Sequence, residues 1–254
     1  MSGSEIAFPH ELIDLLRAAC RVTVLTGAGI SAESGIPTFR DAMTGFWARF
    51  RPEDLATPQA FERDPRLVWE WYSWRRGLVG KAKPNAAHLA VARLECLVRE
   101  VVVVTQNVDG LHHRAGSSRV IELHGNIMRS RCSREGTVAA TWEKPEEGPP
   151  QCERCGAYLR PDVVWFGEPL PQAALQEAYD TLSASDLVLS VGTSNVVEPA
   201  ASMPWAAAAA GVPVAVVNLT MSGQRAGPGI FHLEGRAGAV LPGLLAAAWP
   251  EAAP

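Results

Sequence analysis

Residues 22–41, VTVLTGAGISAESGIPTFRD, decide the fold of this chain. The apolar run 22–26 predicts a buried strand, because strands of a parallel sheet are covered on both faces. The stretch from Gly27 to Ala32 fits G-x-G-x-x-[GA], in which glycines let the backbone turn sharply and approach a diphosphate. A tight strand–helix turn can carry the same spacing. The text after Ser31 is polar and is broken by a glycine and a proline, so no ordinary helix is expected there.

The layout of a hydride-transfer enzyme is missing. Such an enzyme carries an acidic residue at the end of a second strand about 20 residues after the glycine loop, where it holds a ribose. Residues 49–53, RFRPE, occupy that window and do not read as the end of a strand. The loop is therefore predicted to hold a dinucleotide outside the usual dehydrogenase arrangement.

Small or polar residues follow four predicted strands. The tripeptide GAG follows 22–26, QNVD follows 101–105, GTS follows 186–191, and Asn218 ends the strand 213–218. A single ending of this kind is also ordinary turn chemistry. Because ligands of parallel sheets bind at the carboxyl ends of the strands, four such endings favour an elongated polar ligand.

Composition places the chain among ordinary α/β proteins. Its 254 residues are 47% hydrophobic and carry a net charge of −4, which indicates no nucleic-acid surface. No apolar stretch approaches the roughly 20 residues of a membrane span. We expect a cytoplasmic protein with neither nucleic-acid nor membrane partners. The five cysteines are an odd number, which argues against a disulfide framework.

The periodicity predicts a Rossmann-like parallel sheet with helices on both faces in a single domain. Residues 42–84 lack a strand pattern and read as an aromatic, arginine-rich helical insertion, and residues 126–160 read as a small cysteine module. The large lobe then comprises residues 10–41, 85–125 and 161–250. Helices are expected at 10–20, 85–98, 171–183, 200–210 and 240–248, and a short strand at 119–123.

Together these motifs resemble the sirtuins, which are NAD-dependent protein deacylases. The resemblance runs in order from about residue 20 to residue 245. It is carried by GAGISAESGIPTFRD (27–41), TQNVDGLHHRAG (105–116), ELHGN (122–126), PDVVWFGE (161–168), GTSNVVEPA (192–200), Asn218 and the cysteine segment.

The resemblance implies that NAD is a co-substrate whose nicotinamide–ribose bond is broken. The polar tail after the glycines would lie over the nicotinamide ribose, where Phe39 shields the reactive face of the sugar and Arg40 helps to order the loop. The residues implied in NAD binding are Gly27, Ala28, Gly29, Ile30, Ser31, Thr38, Phe39, Arg40, Gln106, Asn107, Val108, Asp109, Gly192, Thr193, Ser194, Asn218 and Ala237.

The resemblance also implies the catalytic groups. Asn107 and Asp109 would hold the nicotinamide and position C1′ of the ribose for attack by the acyl oxygen of an acylated lysine. His124 would be the general base, because a histidine with a pKa of about 6.5 suits proton transfer near neutral pH. Spacing alone does not separate His124 from His112 and His113, and only the resemblance selects it.

Acylated-lysine proteins or peptides are the implied partners. The peptide would add as an extended strand between the segments 164–167 and 194–197, and strand addition makes side-chain preference loose. Without the resemblance, both segments read equally well as ordinary loops. The implied contacts of the first segment are Val164, Trp165, Phe166 and Gly167.

The helix-like text WEWYSWRRG (69–77) bears on the acyl group. Trp69, Tyr72 and Arg76 share one face by helical spacing. A packed aromatic helix with solvated arginines would look the same. The pair Tyr72 and Arg75, however, resembles the sirtuin subgroup that removes succinyl and malonyl groups, and an arginine fork with a phenol suits an acyl carboxylate.

The cysteine segment departs from the family pattern. Sirtuins carry two C-x-x-C pairs around a structural zinc, and here Cys152 and Cys155 form one intact pair. The other pair starts at Cys132 but has Glu135 in place of its second cysteine. Three thiolates and a carboxylate are an unusual zinc site, so a weakly held zinc and a metal-free ribbon both stay open.

Two other functions share these residues. Protein ADP-ribosylation would use the same C1′ electrophile with a different nucleophile, and a non-catalytic NAD sensor would only bind the dinucleotide. The presence of Asn107, Asp109 and His124 favours the deacylase.

Overall fold

The computed structural model describes residues 7–37, 45–139, 148–194, 196–221 and 225–252. Its strands form a six-stranded sheet in the order β3-β2-β1-β7-β8-β9 and a three-stranded sheet in the order β5-β4-β6. They are β1 (Arg21–Thr26), β2 (Glu100–Thr105), β3 (Val120–Glu122), β4 (Gly125–Cys132), β5 (Val138–Ala139), β6 (Leu159–Val163), β7 (Leu187–Val191), β8 (Val214–Asn218) and β9 (Ile230–Glu234).

Neighbouring strands of the large sheet are parallel, and their carboxyl ends lie level. Thr26, the last residue of β1, is in register with Thr105 at the end of β2 and with Val191 at the end of β7. The loops that leave these three strands therefore start at one edge of the sheet, which is where ligands of parallel sheets bind.

Helices cover both faces of the large sheet, as predicted. The helices are α1 (His10–Ala18), α2 (Ala28–Ser31), α3 (Pro58–Arg63), α4 (Pro65–Lys81), α5 (Ala86–Leu94), α6 (Leu111–Ala115), α7 (Gln172–Ser183), α8 (Met203–Ala209) and α9 (Ala237–Ala248). Helices α1, α5 and α9 share one core with Val22 and Val24, and α7 and α8 share the other core with Leu25. This alternation of neighbouring residues between two cores gives the strand β1 its continuous apolar sequence.

The segment between β1 and α5 is helical, as its sequence indicates. Thr57 caps the start of α3 with a side chain that accepts the amide hydrogen of Ala60, and Asp64 caps the start of α4 with a side chain that accepts that of Leu67. A proline follows each cap, where its missing N–H leaves no bond unmade. This segment packs around its own core, which includes Leu55, Phe61, Trp71, Tyr72 and Trp165.

The small sheet is antiparallel and carries the cysteines. Strand β4 pairs with β5 and β6. Helix α4 fastens to this sheet at two places. Trp69 is buried in one cluster with Cys132, Cys152 and Leu159, and Arg76 donates to the carbonyl oxygen of Arg129 on β4. Within the described ranges, no helix has both the length and the apolar character needed to cross a membrane.

Candidate active site

The glycine loop lies in direct contact with the loop after β7. The amide of Gly29 donates to the carbonyl oxygen of Gly192 at 2.8 Å. A Cβ on Gly192 would lie 2.4 Å from the backbone nitrogen of Ile30, and Gly192 has a φ of 61°. Only glycine combines this left-handed backbone with so close an approach. The two loops thereby form one continuous main-chain surface at the edge of the sheet.

The helix after the glycine loop is short, as the sequence predicted. Helix α2 ends at Ser31, a 3-10 turn follows over Ala32–Ser34, and Gly35 closes the turn with a φ of 76°. Asn85 ties this turn down by donating to the Ile30 carbonyl oxygen at 2.7 Å and to Ser34 Oγ at 3.0 Å. The predicted NAD-binding residues Thr38, Phe39 and Arg40 lie outside the described residues.

A polar network joins the glycine loop to the loop after β2. Asn107 Nδ2 donates to the Gly27 carbonyl oxygen at 3.0 Å and to Ser31 Oγ at 3.1 Å. Ser31 Oγ in turn donates to Asp109 Oδ2 at 2.7 Å. The other Asp109 oxygen accepts the amide hydrogen of Leu111 at 2.9 Å. These bonds fix the Asn107 and Asp109 side chains, so the protein itself holds this part of the site in place.

The ends of β7 and β8 complete the row. Gln106 Nε2 lies 3.4 Å from Thr193 Oγ1, and Asn218 Nδ2 donates to the Thr193 carbonyl oxygen at 3.0 Å. Ser194 is exposed beside them, and Ala237 is buried at the first position of α9. The structure thus places the predicted residues from four strand ends along one edge. Val108 lies behind this edge, packed against the core of the helical segment.

His124 follows the end of β3 by two residues and lies next to the loop after β2. Its Nδ1 is 2.8 Å from the carbonyl oxygen of Gln106. A carbonyl oxygen only accepts, so Nδ1 carries the hydrogen and Nε2 of the neutral ring is left as the proton acceptor. Burial lowers the pKa of His124, and the hydrogen bond to Gln106 opposes that shift. The neutral ring, which can act as a base, is therefore the favoured form near pH 7.

The other two histidines occupy different environments. His112 is buried in the core with its Nε2 3.0 Å from Thr26 Oγ1. Burial and the neighbouring His88 and His113 lower the pKa of His112 to about 3. His113 is exposed on the far side of α6, with its Nε2 3.6 Å from Glu122. Burial therefore separates three histidines that spacing could not rank.

The sequence reasoning missed two residues next to the polar network, the half-buried Asn85 and the buried His88. Asn85 caps α5 by accepting the amide hydrogens of Ala87 and His88. The His88 ring lies 3.5 Å from Ser31 Oγ and 3.1 Å from Asn85 Oδ1. The available signal was the Asn at the start of a predicted helix with a His three residues later, which is the spacing of a reciprocal helix cap.

Of the predicted acyl-binding pair, Tyr72 is buried and Arg75 is partly buried. Tyr72 accepts a hydrogen bond from Trp165 Nε1 at 3.1 Å. Burial raises the pKa of Tyr72 to about 12, and the charge of Arg75 opposes that shift. Burial lowers the pKa of Arg75, while Tyr72 and Asp109 raise it. Arg75 thus lies in the electrostatic field of both the phenol and the Asp109 carboxylate.

The segment 164–167 runs beside His124. The amide of Val164 donates to the His124 carbonyl oxygen at 2.9 Å, and the amide of Phe166 donates to that of Ala56 at 2.9 Å. Trp165 points inward, whereas the Phe166 side chain is exposed. In the loop after β7, Val196 is 66% exposed.

The cysteine cluster has the geometry of a metal site. One ligand atom from each of Cys132, Glu135, Cys152 and Cys155 lies within 4.8 Å of the other three. Ligands bound at about 2.3 Å to a tetrahedral zinc lie about 3.8 Å apart, so this donor set fits a zinc ion. The Glu135 carboxylate also lies 3.3 Å from Arg154 Nε. The cluster could therefore hold zinc with Glu135 as the fourth ligand.

Several known proteins are similar to this chain in sequence and in structure. The Sir2 family matches residues 27–199. The NAD-dependent protein deacylase 2 of Pyrobaculum aerophilum is 53% identical over 232 residues, which cover 91% of this chain and 92% of the relative. A crystal structure of a Sir2 homolog–NAD complex matches with a TM-score of 0.85 at 39% identity, covering 98% of this chain and 97% of that one.

A Sir2–p53 peptide–NAD+ structure is also similar, with a TM-score of 0.77, 34% identity, and coverage of 91% of this chain and 95% of that one. The family match spans the glycine loop, His124 and the cysteine cluster. The fold, the polar sheet edge and these likenesses agree: the chain belongs to the Sir2 family.

Proposed function

We propose that this Sir2-family protein is an NAD-dependent protein-lysine deacylase that acts on succinyl, malonyl and acetyl groups. The observation that carries the proposal is the meeting of Ser31, Asn107 and Asp109 in one hydrogen-bonded group at the sheet edge, with His124 beside it. The products would be free lysine, nicotinamide and 2′-O-acyl-ADP-ribose.

NAD would lie along the row of strand ends. The main-chain surface that Gly27, Gly29 and Gly192 form suits its diphosphate, because these glycines let the two loops meet with no Cβ between them. Thr193, Ser194 and Asn218 offer hydrogen bonds to the sugars, and Ala237 at the start of α9 would face the adenine end. Binding in this direction places the nicotinamide near Asn107 and Asp109.

The first chemical step breaks the bond between nicotinamide and ribose. The acyl oxygen of the modified lysine attacks C1′, and nicotinamide leaves with the bonding electrons. Asn107 and Asp109 would hold the carboxamide of nicotinamide and fix the position of C1′. Such orientation lowers a barrier by up to about 7–11 kcal/mol, and the hydrogen bonds that already lock these side chains support this role.

His124 would act next as the general base. Its Nε2 takes a proton from the ribose hydroxyls, and the 2′ oxygen attacks the acyl carbon. The bond from Nδ1 to the Gln106 carbonyl oxygen supports the role, since it sets the tautomer and leaves Nε2 free to accept. We expect His124→Ala to lower the rate of product formation at least about 100-fold, while the protein still binds NAD.

Succinyl and malonyl groups are the finer part of the proposal. The acyl chain would reach Tyr72 and Arg75, where the guanidinium and the phenol meet its terminal carboxylate. The pKa of about 12 keeps Tyr72 protonated, so that it can donate. A guanidinium beside a protonated phenol supports an anionic acyl group over a neutral one, because a carboxylate can accept hydrogen bonds from both.

The substrate peptide would lie between the segments 164–167 and 194–197. The amides of Val164 and Phe166 are already donated to the protein, so main-chain pairing on this side would use carbonyl oxygens of the segment. The exposed side chains of Phe166 and Val196 would cover the lysine stem.

We also propose a structural zinc at Cys132, Glu135, Cys152 and Cys155. The cytoplasmic location stays a prediction.

One experiment separates the deacylase from its alternatives. Purified protein is incubated with NAD and a succinyl-lysine peptide, and the products are read by mass spectrometry. Peptide that has lost its succinyl group, together with O-succinyl-ADP-ribose, supports the deacylase. Protein that carries ADP-ribose supports a transferase, and unchanged reactants support an NAD sensor. A parallel acetyl-lysine peptide tests the general activity independently of the acyl preference.

A further inference from the structure

The hydroxyl group of Tyr72 has two hydrogen-bond donors, Trp165 and Arg75, as neighbours. Trp165 Nε1 donates to it at 3.1 Å, and the indole nitrogen can never accept. The neighbouring guanidinium of Arg75 is also a donor without acceptor capacity. One lone pair of the phenol oxygen is thus taken by the indole, and the phenolic hydrogen has to turn away from both neighbours. An acceptor that enters the pocket would meet this hydrogen.

The indole of Trp165 is itself held from several sides. Glu168 accepts the Trp165 amide hydrogen at 2.8 Å and receives two bonds from Arg160, at 2.6 and 2.8 Å. The Arg160 guanidinium lies over the indole with its carbon 3.3 Å from the ring centroid. Phe61 packs on the same ring at a centroid distance of 5.3 Å. These contacts leave the indole N–H one direction, toward Tyr72.

Arg160 and Glu168 form a firm anchor. Both side chains are largely buried, and Arg160 also donates to the Val163 carbonyl oxygen at 2.8 Å. Burial raises the pKa of Glu168, but the bonds from Arg160 and the Trp165 amide outweigh it and hold the pKa below its usual value. A bidentate, buried arginine–carboxylate pair has well-defined geometry, so it can fix a neighbouring ring.

We propose that Trp165 is a positioning residue that sets acyl selectivity by orienting the Tyr72 hydroxyl toward the carboxylate of the acyl group. This inference rests on the proposed desuccinylase activity and deepens it. With the indole bond in place, the phenol presents its hydrogen to the pocket. Without it, the phenol oxygen becomes an unsatisfied acceptor, and its hydrogen can rotate away from the substrate.

The selectivity arises because acyl groups differ in whether they can accept a hydrogen bond from Tyr72. A succinyl or malonyl group ends in a carboxylate that accepts the phenolic hydrogen. An acetyl group ends in a methyl and makes no such bond. Trp165 therefore matters more for acidic acyl groups, although it also belongs to the segment proposed to contact the peptide.

The test compares wild-type protein and Trp165→Phe on succinyl- and acetyl-lysine peptides of one sequence at saturating NAD. Phenylalanine keeps an aromatic ring but removes the donor. We expect the ratio of kcat/KM for succinyl to that for acetyl to fall about tenfold, through a higher KM for the succinyl peptide. A purely structural role would lower both values together and leave the ratio unchanged, which would overturn the inference.

A double-mutant cycle with Tyr72→Phe tests whether Trp165 acts through the phenol. In the Tyr72→Phe background the indole has no hydroxyl to orient. Trp165→Phe should then leave the succinyl-to-acetyl ratio within about twofold of its value in Tyr72→Phe alone. A further tenfold fall in that background would overturn the inference.

A second variant keeps the inference testable if Trp165→Phe does not fold, which thermal unfolding would reveal. Glu168→Gln retains the indole but weakens its anchor, and it should lower the same ratio. An unchanged ratio in Glu168→Gln would then overturn the inference. If the wild-type protein removes acetyl but not succinyl groups, the acyl part of the proposed function falls and this inference with it. If it removes both and the variants keep the ratio, only this inference falls.

Discussion

The charge of Arg75 is the most direct test of what the site recognises, and Arg75→Met is the variant that removes it. Methionine fills a similar volume without a charge or a donor. Arg75 lies on α4 beside Tyr72, and its pKa is lowered by burial and raised by Tyr72 and Asp109. In the variant, an acyl carboxylate would enter a pocket that offers the phenol but no cation.

The size of the effect follows from this environment. Removing one member of a desolvated charge pair costs about 2–5 kcal/mol, which corresponds to a loss of about 30- to 5,000-fold in kcat/KM for a succinyl peptide. An acetyl peptide lacks the carboxylate and should lose much less. Arg75→Lys keeps the charge but not the planar fork, so it should fall between wild type and Arg75→Met for the succinyl peptide.

The assay uses two peptides of identical sequence, one succinylated and one acetylated, with saturating NAD and detection of the deacylated peptide by mass spectrometry. Arg66→Met is the matched control. Arg66 lies on the same helix and pairs with Glu70 at 3.0 Å, but both side chains are exposed. Surface pairs contribute only about 0–1 kcal/mol, so this control should leave the ratio of the two rates unchanged.

An equal loss on both peptides would refute the reasoning. Arg75 would then act on the reaction as a whole, through the neighbouring Asp109, and the carboxylate would be recognised elsewhere or not at all. Equal loss in the control would instead point to a general effect of the helix.

Three further changes test other parts of the site. Gly192→Ala should raise the KM for NAD about tenfold or more, because its Cβ would press on the first loop at 2.4 Å, whereas Gly211→Ala, at a φ of 87° with open space around it, should not. Glu135→Cys should retain zinc, measured by mass spectrometry of the metal, at a roughly tenfold higher chelator concentration than wild type, and equal retention would argue against Glu135 as a ligand. His112 has a folded pKa of about 3 against about 6.5 when unfolded, so its contribution to stability is present above pH 6.5 and is lost as the pH falls toward 3. Urea unfolding should show that the free energy of unfolding falls by about 2 kcal/mol less between pH 7 and pH 5 in His112→Gln than in wild type. The exposed-site control His10→Gln should show the same fall as wild type.

Much of the fold was predictable because the strands of a parallel sheet have continuous apolar sequences. The runs at β1, β2, β7 and β8 were each recognised to within a residue or two. Strand β9 was not predicted. It lies at the edge of the sheet and alternates between buried and exposed residues, so its sequence IFHLE has no continuous apolar run.

The chemistry of the site was less predictable from local pattern. Three histidines lie within residues 112–124, and they differ in burial and in hydrogen-bond partners, which spacing does not encode. The hydrogen bond between Trp165 and Tyr72 joins residues 93 positions apart, so no local sequence motif predicts it. The early end of α2, in contrast, followed from a glycine and a proline close to the glycine loop, because backbone restrictions act locally.

The two attachments of α4 to the small sheet have a practical consequence for protein engineering. Trp69 is buried against the cysteines one turn before Tyr72, and Arg76 donates to β4 one turn after it. Changing the length of this helix by one residue would rotate the far attachment by about 100°, so both could not survive together. Anyone who wishes to retarget the enzyme by transplanting this helix from a relative would have to move the cysteine-bearing sheet with it, as a single cassette.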